Sequence, residues 1–306
     1  MRKIIIDTDI GVDDAFAVRY GSLVFDLIGI TTVNGNCTAN MATQNAKLFC
    51  SYYKKNIKVY KGASRPLVEP PSPPSFDIHG KDGLGGVYDN PFDDKAPNAI
   101  EYLINNVKEN PGEITVIAIG PLTNIAIALN LYPDFAKDIK ELVIMGGAFG
   151  FNGHNGNMSH FAEFNIYSDP HAADIVMQSS MPITILPLDV TNKVQITAKE
   201  VANTNDEFLK NISKFYIDFS LKQKIFHDMA VHDALTIAYL VNPQAFTTIK
   251  KPCRVITSGI AKGQTVIPRD ERVAPNDCFL GLKEHTICID VDVNAVKEHL
   301  LNTLKI

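Results

Sequence analysis

Lys3-Ile4-Ile5-Ile6-Asp7-Thr8-Asp9-Ile10-Gly11-Val12-Asp13-Asp14-Ala15 is the stretch on which the reading of this chain turns. Three consecutive isoleucines do not alternate between core and water, so Lys3 to Ile6 is predicted as a strand buried on both faces, as in a parallel sheet. An acidic turn with one glycine follows, then an apolar, helix-like run from Ala15. Strand, tight turn and helix form the opening of a βα unit.

The same rhythm continues outward. Strands are predicted at Leu27 to Val33, Ile57 to Tyr60, Ile114 to Ile119, Leu142 to Met145 and Ile183 to Leu186, each short and rich in β-branched residues. Between them, Asn40 to Tyr53, Ala99 to Lys108, Leu122 to Leu131 and Pro170 to Gln178 carry apolar residues at spacings of three and four, the period of a helix. The expected fold is therefore α/β: an open, mainly parallel sheet flanked by helices, a Rossmann-like core. After Thr191 the pattern turns helical (Ala198 to Lys224, Val231 to Leu240), with short strands and a closing helix at Val293 to Leu304. No composition break divides the chain, so residues 1–306 are expected to form one domain.

Two stretches resist regular structure. Pro66 to Gly86 holds five prolines and four glycines, and Gly146 to Asn157 holds five glycines. Long loops of this kind serve as binding loops or as solvated excursions.

A formal charge of -5 and a pI near 5.9 offer no electrostatic reason to bind nucleic-acid phosphates or anionic lipid. A small-molecule partner is expected. The five cysteines are far apart and never form a CxxC pair, so neither a disulfide framework nor a zinc site is indicated. The N-terminus has too short an apolar run for a signal peptide or a membrane span, and a cytoplasmic protein is expected.

The acidic turn places four carboxylates in eight residues, Asp7 to Asp14, at the carboxyl end of a strand, where open α/β sheets bind ligands. A structural use is available to two of them, with Asp13 capping the following helix and Asp14 complementing its dipole. The remainder cost repulsion and desolvation unless a cation, a proton or a substrate hydroxyl compensates. The donors are all hard oxygens, which suits Ca²⁺ or Mg²⁺ better than zinc.

The block Asp7-Thr8-Asp9-Ile10-Gly11-Val12-Asp13-Asp14-Ala15 resembles the signature of the inosine-uridine-preferring nucleoside hydrolase family. Further ordered landmarks agree: Thr31-Thr32-Val33-Asn34-Gly35-Asn36, Ile78-His79-Gly80, Gly120-Pro121-Leu122-Thr123-Asn124, Met145-Gly146-Gly147, Ala162-Glu163-Phe164-Asn165 and Val231-His232-Asp233. The resemblance implies hydrolysis of the bond between ribose and nucleobase, with Ca²⁺ held by Asp9, Asp14, a backbone carbonyl at Thr123, and Asp233. It implies substrate contacts at Asp13, Asn36, Asn157, Glu163, Asn165 and Asp233, with Met145 lining the pocket and Asp7 supporting the loop. It also implies a homodimer or homotetramer. Ile10 departs from the commonest signature, where a proline precedes the glycine; loop stiffness should change more than chemistry.

An N-glycosidic bond breaks through an oxocarbenium-like state that needs an activated water and help for the departing base. Asp9 is the expected general base. His232 is the expected acid toward the leaving base, since a pKa near 6.5 suits proton transfer; the alternative is a histidine that only orients Asp233. His79, Phe164 and His227 are candidate pocket residues, each with an ordinary reading as loop, core or surface residue. The segments Ala118 to Leu122 and Leu188 to Asn192 resemble broad-specificity ribonucleoside hydrolases, so both purine and pyrimidine nucleosides are expected substrates.

Other readings begin at the same residues. Asp-x-Asp after a strand also resembles haloacid-dehalogenase phosphatases, but Gly11 and the nearby Asp13-Asp14 pair do not fit that pattern. A non-catalytic calcium- and nucleoside-binding protein would be marked by loss of the base or a ligand, yet Asp9, Asp14 and Asp233 are present. A structural calcium site in an enzyme working elsewhere needs another catalytic constellation, and no GxSxG elbow, P-loop or GxGxxG is found.

Overall fold

The structure is a computed structural model that describes residues 1–153, 155–223, 228–269 and 277–305. Eight strands form its main sheet: β1 (Lys3–Thr8), β2 (Asp26–Thr32), β3 (Val59–Lys61), β4 (Thr115–Ala118), β5 (Glu141–Met145), β6 (Ile183–Leu186), β7 (Phe246–Lys251) and β8 (His285–Val291). Their order across the sheet is β3-β2-β1-β4-β5-β6-β8-β7. All neighbours are parallel except the edge pair β7–β8.

Helices cover both faces. On one lie α1 (Val12–Val24), α2 (Ala39–Tyr52), a one-turn α3 (Phe76–His79) and, from late in the chain, Glu207–Gln223, Ala234–Val241 and Val293–Thr303. On the other lie α4 (Ala99–Glu109), α5 (Thr123–Leu131) and, beyond the short α6 (Phe164–Ser168), α7 (Pro170–Met177). Strand β1 shows why the isoleucine run reads as it does. Ile4 and Ile6 enter one core, Ile5 enters the other, and all three are fully buried. Buried side chains on both faces of one strand require two covering layers.

The C-terminal part differs from expectation in two ways. The predicted helix from Ala198 stops at Ala202 and restarts at Glu207, because Asn203-Thr204-Asn205-Asp206 intervenes and Asn205 takes a left-handed φ of 60°; short polar side chains of this kind compete with helix bonds. The helix expected from Val231 begins at Ala234, since Met229–Ala230 pairs with Gln195–Ile196. The short strands expected in this part include β7 and β8, which extend the main sheet. In the proline-rich segment, α3 is a turn of helix where none was expected.

No helix among the described residues is long and apolar enough to cross a membrane. The sheet order reverses between β1 and β4, and the carboxyl ends of β1, β2 and β4 lie side by side, with Asp7 in register with Thr31 and Ala118. Loops leave such a point in opposite directions and open a crevice there.

Candidate functional site

The acidic turn fills that crevice. Asp14 caps α1: its Oδ2 accepts the Gly11 backbone N–H at 2.8 Å, and its Oδ1 accepts the Thr8 hydroxyl at 2.5 Å. The capping role assigned from sequence to Asp13 therefore belongs to Asp14, which stands three residues past the N-cap Gly11 and can reach back to it. Asn36 links the turn to the end of β2, donating its backbone N–H to Asp9 Oδ2 (2.5 Å) and its amide to Asp14 Oδ2 (3.0 Å). Asp7 does not line the cavity and accepts from Thr31 (2.6 Å) and Asn124 (2.7 Å).

Asp9, Asp13, Asp14 and Asp233 are all buried. Burial raises the carboxyl pKa of each, and the neighbouring carboxylates raise Asp9, Asp13 and Asp233 further. Asp14 crowds Asp9 and Asp13, and Asp13 crowds Asp233, and buried carboxylates this close need a proton or a cation to hold them together. Single oxygens of Asp13, Asp14 and Asp233 lie within 4.8 Å of one another. Asp9 Oδ1 is buried with no hydrogen-bond partner. Among the described residues no lysine or arginine forms an ion pair with any of the four, and the His79 imidazole lies 4.0 Å from Asp13. An orphaned carboxylate oxygen in an all-oxygen donor set fits a hard divalent cation.

Above the cluster opens a cavity of about 270 Å³. Its lining includes Asp13, Asn36, Glu163, Asn165 and Asp233, together with Met145, Asn157, Phe164 and both histidines, His79 and His232. Asp9, Asp14 and Thr123 do not line it. Glycines at 35 and 120 pack against the Asp9 carboxylate, and the Thr123 hydroxyl bonds Asp169 at 2.7 Å. His227 lies outside the described residues.

Glu163 caps α6: Oε1 accepts from Asn165 N (2.8 Å), and Oε2 from Ile166 N and Gly147 N (3.1 Å each). Burial nevertheless pushes its pKa up to about 7. Gly147 reaches Glu163 from a φ of +88°, where an L side chain is strained. Asn165 donates its amide to the Ile119 and Met145 carbonyls at 3.1 and 3.2 Å, pinning the ends of β4 and β5.

One of the two histidines differs from expectation. His232 faces Thr191 Oγ1 at 2.9 Å, and burial lowers its pKa to about 4 rather than leaving it near 6.5. His79 accepts the Val12 N–H on Nδ1, and burial together with the nearby His232 lowers its pKa to about 3. An Nδ1 that accepts leaves Nε2 as the protonated nitrogen.

Sequence reasoning missed the wall supplied by Glu207–Gln223. Tyr216, Phe219 and Ser220 face the cavity at positions i, i+3 and i+4, and Tyr216 meets His79 edge to face with ring centroids 5.7 Å apart. The helical period was visible, but it is the same period that buries a core face. Ile78 and Ile119 add apolar lining.

Residues 4–298 match the family model described as "Inosine-uridine preferring nucleoside hydrolase". The chain is similar to a probable uridine nucleosidase 1 of Oryza sativa subsp. japonica, with 35% identity over 96% of this chain and 94% of that one. It is 35% identical to the pyrimidine-specific ribonucleoside hydrolase RihB of Escherichia coli O1:K1 / APEC, over 94% of this chain and 97% of the relative. A solved plant nucleoside hydrolase superposes with a TM-score of 0.94 at 33% identity, covering 99% of both chains.

Proposed function

The chain belongs to the inosine-uridine preferring nucleoside hydrolase family and is a nucleoside hydrolase; from that premise we propose that it cleaves ribonucleosides to free base and ribose with a calcium ion and Asp9 as general base. Pyrimidine ribosides are the foremost substrates in this reading, because both curated relatives above are named for uridine or pyrimidine hydrolysis, and purine ribosides are accepted as well. The observation that carries the proposal is the cavity's lining, which combines buried carboxylates and amides (Asp13, Asn36, Glu163, Asn165, Asp233) with imidazoles and aromatic rings (His79, His232, Phe164, Tyr216), the two kinds of surface that a ribose joined to a flat base requires.

Asp9, Asp14, Asp233 and the Thr123 carbonyl are the groups that would hold calcium. When bound, that ion supplies a hard positive charge that orients oxygen ligands and acidifies water. Asp9 takes the proton of the attacking water as its oxygen bonds to C1′. Asp13, Asn36 and Asn165 orient the ribose hydroxyls, and Glu163 and Asn157 hold the 5′ end. A pocket whose buried polar groups are satisfied by a 2′-hydroxyl rejects the deoxyriboside. As the C1′–N bond breaks, its electron pair stays on the base, and His232 donates an N–H toward that nitrogen heterocycle. Pocket positions for His79, Met145 and Phe164 belong to the same proposal, as do one domain over residues 1–306 and a homodimer or homotetramer in the cytoplasm.

The test is release of base and ribose from uridine, cytidine, inosine, adenosine and 2′-deoxyuridine, before and after removal of calcium by a chelator. Cleavage of the ribosides that stops on chelation and returns with calcium is the expected result. Equal cleavage of the deoxyriboside, or cleavage indifferent to calcium, rejects the mechanism.

A further inference from the structure

One buried carboxylate serves none of the roles above. Asp169 is fully buried, does not line the cavity and lies between α6 and α7. Its Oδ1 accepts the Ala172 N–H at 3.0 Å and so caps α7. A cap needs only that one oxygen, and Ser, Thr or Asn would provide it without burying an acid. The second oxygen is used elsewhere. Oδ2 accepts the Thr123 hydroxyl at 2.7 Å and the Leu67 backbone N–H at 2.9 Å, from segments 46 and 102 residues distant in sequence.

Thr123 opens α5 three residues after Gly120, which packs on Asp9. The next residue is held from the opposite side: Asn124 donates to Asp7 Oδ1 and to the Thr32 carbonyl, and accepts from Ala63 N. Two buried carboxylates outside the crevice thus grip adjacent residues of one turn. We propose that Asp169 is a positioning residue that, through the Thr123 hydroxyl, fixes the backbone of the Thr123 turn as a cation ligand. The inference rests on the reading of the Thr123 carbonyl as part of the calcium site. Groups that orient a ligand from outside the coordination sphere typically change metal affinity 10- to 100-fold when removed.

Calcium binding to the full chain, measured by calorimetry after chelator treatment, separates this role from simple helix capping. Thr123→Val removes the hydroxyl and keeps the shape; it should weaken calcium binding by about 10-fold or more, while Thr123→Ser, which keeps the hydroxyl, stays within about twofold of the wild type. Asp169→Asn should weaken binding in the same direction, and it supplies the test should Thr123→Val fail to fold. Lower melting temperatures in folded variants that bind calcium as tightly as wild type overturn the inference and leave Asp169 a helix cap. A wild type that takes up calcium only while Asp14 is intact upholds the underlying site reading separately. If the wild type takes up none, that reading and the inference fall together.

Discussion

The Nδ1 of His79 accepts the backbone N–H of Val12 at 3.1 Å, so a side chain from the proline-rich segment caps the helix that carries Asp13 and Asp14. The two lie 67 residues apart, and both are buried. This contact locks the wall of the cavity to its acidic floor and fixes which imidazole nitrogen carries the proton.

His79→Ala should therefore act on stability as well as on turnover. It leaves the Val12 N–H buried without a partner, a loss of about 1–3 kcal/mol. Thermal unfolding of the calcium-loaded protein reads the first effect and uridine turnover the second. An unchanged melting temperature would show that water or another group replaces the imidazole.

Gly35 and Asp9 should be functionally inseparable. A Cβ at Gly35 would collide with Asp9 Oδ2 and Pro121 Cδ, so Gly35→Ala must displace the carboxylate. Both Gly35→Ala and Asp9→Ala are expected to lower kcat by about 100-fold or more while the protein stays folded, since a general base contributes on that scale. Near-normal turnover in Asp9→Ala sinks the assignment of the base.

Calcium should stabilise the protein in proportion to its occupancy, because it relieves repulsion among carboxylates that the folded state crowds together. At a calcium concentration about 100 times Kd, linkage contributes about 2.7 kcal/mol. A melting temperature that rises with calcium and falls with chelator is expected, and Asp14→Ala should abolish the response. A response that survives Asp14→Ala would place the ion elsewhere.

Glu163 should make the protein less stable toward alkaline pH. Burial raises its pKa from 4.5 to about 7, so the folded state holds this proton to higher pH than the unfolded chain does. The stabilisation is complete below about pH 4.5 and is lost as pH rises through about 7, amounting to about 3 kcal/mol at most. Glu163→Gln sacrifices backbone hydrogen bonds at every pH but removes the titration, so its stability should fall less steeply over that interval. Parallel curves for variant and wild type would assign the slope to other groups.

His232→Ala should slow inosine cleavage more than cleavage of p-nitrophenyl riboside, whose leaving group needs no donor. Equal losses on both substrates would indicate that His232 only orients Asp233.

Much of the fold was readable along the chain because burial leaves a local record. The Ile4-Ile5-Ile6 run, the predicted strand Ile183 to Leu186 and the helix starting at Ala99 were all recovered, the last two with the expected first residues. Pro170 stands at the first position of its helix as predicted, where a missing N–H costs nothing. Boundaries failed where polar side chains met backbone, as at Asn203 to Asp206, and where the short strand pairing of Met229–Ala230 delayed the start of the next helix from Val231 to Ala234.

Sequence by itself determined the α/β layering, the acidic turn at the end of β1 and its hard-oxygen character, because side-chain period and donor chemistry are properties of neighbouring residues. Tertiary structure alone decided the rest. The sheet order brings β4 beside β1; Asp14 rather than Asp13 closes the helix; Tyr216, Phe219 and Ser220 turn a helix face into a cavity wall; burial holds His79 and His232 at low pKa; and Asp169 reaches Thr123. Each of these depends on which distant segments exclude water from one another, and that is settled only when the chain has packed.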